Sequence, residues 1–150
     1  MTLNGTRGFA RALIVALSLV TMGFLTPVVA AAPAQALTDV GAILGVETRC
    51  DNSPYSLCLY YKGFDTAWWG TNTTGGLGGA RFFANTGEGS GQAVIFNAGS
   101  VSCDASSTSI CYISYNSGHS GPTDWLYGQR MGRLVETYKA NAAVRISFGA

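Results

Sequence analysis

Cys50-Asp-Asn-Ser-Pro-Tyr-Ser-Leu-Cys58 and Cys103-Asp-Ala-Ser-Ser-Thr-Ser-Ile-Cys111 are two versions of one nine-residue phrase. Both fit C-D-x-S-x-x-S-[LI]-C, and each runs into an aromatic, β-branched segment, Leu59-Tyr60-Tyr61 or Tyr112-Ile113-Ser114-Tyr115. Matched turn composition could give part of this likeness. Six agreements that include both cysteines point instead to an internal duplication with a period of 53 residues. The units then run over about 50–102 and 103–150 of one domain, 50–150, with a lead-in at 37–49.

Working back from the first cysteine, residues 1–36 read as a secretory signal peptide. Arg7 and Arg11 form a basic start, Ala12 to Val29 is apolar, and Ala34-Gln35-Ala36 fits an A-x-A cleavage site. A retained anchor is the competing reading, because the apolar run approaches spanning length. Pro27, Pro33 and the small residues before Leu37 favour cleavage, so the expected localisation is secreted and extracellular. Without Arg7 and Arg11, the nine basic residues fall to seven against eight acidic ones. That balance leaves no surplus to neutralise phosphates, and nucleic acid is not an expected partner. Neither is a membrane, once the signal is removed.

The four cysteines allow three pairings. The matched loops favour Cys50–Cys58 and Cys103–Cys111, which give each unit its own bridge. Zinc is the alternative, but the spacing is not C-x2-C, and His119 is the chain's one histidine.

The rest of the chain reads as short strands between Gly, Ser and Asn turns. Leu57, Leu59 and Tyr61 alternate, and Trp68-Trp69-Gly70 follows. Residues 71–80 are a loop or long hairpin. Arg81-Phe82-Phe83, Ala93–Phe96 and Ser100–Ser102 are further strands. In the second unit Ile110–Tyr115, Asp124–Gly128 and Arg133–Val135 are strands. A closing strand turns Val144, Ile146 and Phe148 one way and Arg145 and Ser147 the other. The lead-in suits an edge strand through Ala42–Leu44 or a short helical turn. The fold class is therefore all-β, with two tandem Greek-key units packed as a sandwich.

Catalytic machinery is sparse. His119 lies in a glycine-rich loop without an oriented nucleophile, and the acids Asp51, Asp65, Glu88, Asp104, Asp124 and Glu136 are scattered. No enzymatic activity is expected. Trp68, Trp69 and Trp125 are candidates for a ligand-binding aromatic set, against a core or corner role.

The cysteine loop followed by L-C-L-Y-Y-K-G-F, and the second followed by I-C-Y-I-S-Y-N-S-G, resemble a family of secreted actinobacterial proteins. These are the metallopeptidase inhibitors of peptidase inhibitor family 36. Gly91–Val94 with Asn97–Ser100, and Tyr115–Gly118 with Ser120–Pro122, extend the likeness over nearly all of 50–148. The resemblance implies a βγ-crystallin-like fold and a disulfide-closed loop that enters an extracellular protease. Carried onto this chain, that loop is Cys103, Asp104, Ala105, Ser106, Ser107, Thr108, Ser109, Ile110 and Cys111. Asp104 departs from the bulky apolar residue that thermolysin-like enzymes favour, and a purely stapling role for both loops is the rival.

The crystallin likeness also raises calcium. The turns Phe96–Val101 and Ala140–Arg145 have lost the polar groups that six or more oxygen ligands need, so no cofactor is expected. A protein that inhibits extracellular proteases, acting as a monomer, is thus the leading reading. An envelope- or carbohydrate-binding module, or a structural or toxin-like crystallin-fold protein, is the alternative.

Overall fold

The computed structural model describes residues 35–149. Ten short strands and one helical turn follow in order: β1 (Leu37–Asp39), β2 (Ile43–Leu44), α1 (Thr48–Asp51), β3 (Leu57–Tyr60), β4 (Trp68–Thr71) and β5 (Gly75–Gly76). Then come β6 (Ser100–Cys103), β7 (Ile110–Ser114), β8 (Thr123–Tyr127), β9 (Arg130–Arg133) and β10 (Ala143–Ser147). They form two five-stranded sheets, ordered β1-β8-β7-β10-β5 and β2-β9-β6-β3-β4.

That order defines the fold. In the first unit β4 pairs with β3 and β6 returns to its other side, while β5 leaves to pair with β10 in the opposite sheet. The second unit repeats the plan: β8 pairs with β7, β10 returns beside β7, and β9 crosses to pair with β6. Each unit is a Greek key whose third strand is exchanged into the other unit's sheet. This strand order is that of a βγ-crystallin-like sandwich. The lead-in adds one strand to each sheet, β1 parallel to β8 and β2 antiparallel to β9.

Leu57, Leu59 and Val101 from one sheet meet Cys111, Ile113, Leu126, Val144 and Ile146 from the other in the main core. A second cluster lies on the far side of β3, where Cys50, Cys58 and Tyr60 are covered by Val46, Tyr55, Phe64 and Trp68. Consequently the duplicated cysteines do not sit alike. Cys58 faces outward from β3, whereas Cys111 faces inward from β7. A change of phase by one residue turns every side chain of a strand to the other face. So Leu59 and Ile113 face the main core while their counterparts in the repeat, Tyr112 and Tyr60, face outward, Tyr60 buried beneath its aromatic cover and Tyr112 only half-buried.

Two expected strands are not strands. Arg81–Phe83 and Ala93–Phe96 form loops joined by the single bridge Arg81–Ala93. Phe82 and Val94 are buried, which accounts for their apolar pattern. Positive φ angles at Asn85, Gly87, Gly89, Gly91 and Phe96 keep the backbone between them from extending. The expected Arg133–Val135 strand lies three residues earlier, at β9, because the following residues are drawn into a turn. Val135, Glu136 and Thr137 donate their N–H groups to the buried Asp124 carboxylate. Phe148 falls beyond β10 and is exposed rather than in line with Val144 and Ile146.

Candidate functional site

Both bridges are local, Cys50–Cys58 and Cys103–Cys111, with all four cysteines buried. They are not equivalent in the fold. The first ties α1 to β3 within one unit. The second links the end of β6 to β7 and so joins the two sheets.

The 103–111 loop is folded onto the body. Ser109 N donates to Ser106 O at 2.8 Å, closing a tight turn, and Ser106 Oγ lies 2.8 Å from Ser109 Oγ. Ala105 and Ser109 are buried, and Gln129 Nε2 donates to Asp104 Oδ1 and to Ala105 O. Burial raises the Asp104 carboxyl above its ordinary value, against the Gln129 hydrogen bond, which lowers it. Gly128 lies under the loop; a β-carbon there would stand 2.0 Å from Ser106 O. Exposed side chains are confined to Ser106, Ser107 and Thr108, on a turn rather than an extended run.

The three tryptophans do not meet. Trp68 and Trp69 are neighbours on β4 and point to opposite faces. Trp68 packs in the outer cluster, its ring centroid 4.9 Å from Phe83, and Trp69 packs against the main core. Trp125 belongs to the other sheet, on its outer face.

Around Trp125 the register builds a row across four strands. Asp39 on β1 is opposite Trp125, Trp125 is opposite Tyr112, and Tyr112 is opposite Arg145 on β10. Residues in register share a face, so an acid, two aromatic rings and a cation stand in line. The Arg145 guanidinium carbon lies 4.1 Å from the Tyr112 centroid, a close cation–π contact. Tyr127, two residues along β8, meets Trp125 edge-on at 5.3 Å and 82°. Leu37, Ile110, Tyr112, Trp125 and Tyr127 line an open depression of ≈ 380 Å³. In the other sheet an aromatic cluster buries the outer face of β3, whereas this face keeps Tyr127 42% and Leu37 65% exposed.

The sequence held a signal for this row. Ile110/Tyr112 and Trp125/Tyr127 stand two apart on successive strands. What it did not fix was the phase, that is, whether the cysteine or its neighbours face inward.

Other candidates are committed elsewhere. The turns weighed for calcium bind each other: Phe96 N donates to Asn141 O at 2.8 Å, and Ala98 N to Asn141 Oδ1 at 3.3 Å. Asn97 Nδ2 donates to Ala93 O. His119 is half-buried at a positive φ, with Nδ1 unpartnered. Among the described residues, no three His, Cys, Asp or Glu side chains gather as a metal site.

The architecture is that of a small crystallin-like domain with two disulfide bridges. No family model matches the chain. No curated protein matches it either. It is similar to a solved structure described as "Evolution of the eye lens beta-gamma-crystallin domain fold", at 10% identity and a TM-score of 0.48, covering 66% of this chain and 92% of that one.

Proposed function

We propose that the protein is a secreted, extracellular binding module that holds a glycan on the outer face of the β8-β7-β10 sheet. The observation that carries this is the Asp39–Trp125–Tyr112–Arg145 row, with Tyr127 beside it, left uncovered while an aromatic cluster covers the outer face of β3 and β4 in the other sheet. A pyranose ring has a C–H face that packs on an aromatic ring, and a rim of hydroxyls. Here Arg145 can donate to that rim and Asp39 can accept from it. A few convergent polar groups around aromatic walls are what orient a small ligand. Affinity electrophoresis through a panel of soluble polysaccharides tests the reading. Trp125→Ala and Tyr112→Ala should each weaken retardation by about tenfold or more, as anchor aromatics do. Tyr138→Ala, exposed outside this face, should not. Retardation by no polysaccharide, or equal retardation of all three variants, would sink it.

Peptidase inhibition through 103–111 is the second reading, supported by the exposed Ser106-Ser107-Thr108 tip held between a bridge and a turn. A loop ordered in advance costs less entropy to bind. Burial of Ala105 and Ser109 leaves that tip short for a substrate-like contact. Titration against thermolysin-like metallopeptidases decides it. Inhibition that survives Trp125→Ala but is lost on opening the Cys103–Cys111 loop would favour it over the glycan.

A further inference from the structure

Resting on the glycan reading, we infer that the site continues past Tyr127 into a second depression beside the Cys103–Cys111 loop, and that it takes the interior of an anionic glycan chain. Leu44, Ser107, Tyr127, Gly128, Gln129 and Arg130 line that second depression, of ≈ 350 Å³. Tyr127 is common to it and to the depression around Trp125, so the two are contiguous around one exposed ring. Trp125 and Tyr127 are two residues apart, roughly 7 Å along a strand, and the row from Asp39 to Arg145 spans three strand spacings, about 14 Å. A surface of this reach exceeds one sugar ring. The 82° angle between Trp125 and Tyr127 also suits a single twisted chain better than a flat crystalline surface.

Charge selects the chain. The ion pairs among the described residues are Arg49–Glu47 and Lys62–Glu88, so Arg145 and Arg130 each face the site without a carboxylate partner. Arg130 donates from Nη1 to Gly41 O and keeps its other donors. The carboxylates nearby already serve protein donors. Asp104 Oδ1 accepts from Gln129, Glu136 Oε1 from Thr38 Oγ1, and Asp39 Oδ1 from Gly41 N, which leaves Asp39 Oδ2 for a hydroxyl of the chain. Arg130 in the second depression and Arg145 over Tyr112 at the end of the row, neither paired with a carboxylate, complement anionic groups spaced along a polymer.

The test is calorimetry of residues 37–150 with oligogalacturonates from the monomer to the hexamer, against neutral cello-oligosaccharides of equal length. Affinity should climb from the disaccharide at least through the tetrasaccharide, exceed that of the neutral series, and weaken with salt. Arg145→Gln should lower affinity by about tenfold, the size of a charge-assisted contact. Leu44→Ser, at a side chain 75% exposed and so safe for folding, should lower hexamer affinity more than disaccharide affinity. A plateau at the disaccharide, or equal binding of neutral chains, overturns this inference and leaves the glycan module standing. Binding of no glycan overturns both. So does competition by polyglutamate equal to the hexamer, which assigns the face to an acidic protein. Concentration-dependent dimerisation blocked by Trp125→Ala also overturns both, because a second copy then covers the face.

Discussion

The carboxylate of Asp124 accepts four hydrogen bonds, from the N–H groups of Val135, Glu136 and Thr137 and from Thr137 Oγ1 at 2.7 Å, and it is fully buried. One side chain thereby satisfies the turn that follows β9. Asp124→Asn keeps the shape but sets an N–H2 group against donors. Leaving buried donors unsatisfied costs about 1–3 kcal/mol each, so a loss on the order of 3 kcal/mol should appear in urea unfolding. An Asn variant as stable as the parent would mean the turn is held by something else. Asp104 works in the opposite sense. Its carboxyl is raised by burial, so the folded state holds its proton more tightly than the unfolded chain does. The stability tied to that proton is fully present below the unfolded value, 3.8, and is lost as pH rises through the higher folded value. Asp104→Asn keeps an acceptor for Gln129 and removes the charge. It should therefore melt higher than the parent at neutral pH, with the difference shrinking to nothing in melts taken below about pH 4.

At the level of elements, the two bridges answer different questions. Each closes a nine-residue loop, worth about 2.5 kcal/mol in the chain-entropy model. Cys103–Cys111 also lies in the main core and joins β6 to β7 across the sandwich, whereas Cys50–Cys58 lies in the outer cluster. Replacing Cys103 and Cys111 together with Ser should cost more than the same change at Cys50 and Cys58, because hydroxyls then enter the apolar centre. Equilibrium unfolding of both double variants checks the order; equal losses would leave only the loop-closure effect. The elements best read from sequence, β3, β7, β8 and β10, are those where alternation and a bounding turn coincide. Arg81–Phe83 and Ala93–Phe96 misled because buried Phe82 and Val94 imitate alternation within a loop. The C-x7-C repeat announced the duplication and both bridges. It could not announce that β3 and β7 sit in opposite phase, because packing above β3, from Tyr55, Phe64 and Trp68, decides that phase. For the same reason the tryptophans, grouped by residue type, separate in space, and Tyr112 and Tyr127 emerge beside Trp125.

For the molecule as a whole, the sequence has two units but the fold has no separable halves. β5 leaves the first unit to pair with β10, β9 leaves the second to pair with β6, and the lead-in strands β1 and β2 pair with β8 and β9. Of the six strands before the second unit, β1, β2 and β5 thus find their partners only in that unit. What remains, β4-β3-β6, is a three-stranded sheet with one face of its core removed, since Leu57, Leu59 and Val101 pack against Ile113, Leu126 and Val144. A piece of that size with half a core falls below what usually folds alone. Residues 35–103 carrying Cys103→Ser, and residues 109–149 carrying Cys111→Ser, should each show no cooperative melt and no near-ultraviolet aromatic circular dichroism. Mixed at equal concentration they should recover both, because every exchanged strand regains its neighbour. A cooperative transition in the first fragment alone would mean that β4-β3-β6 and its aromatic cluster form a self-sufficient unit. Strand exchange would then add stability to a fold that does not depend on it.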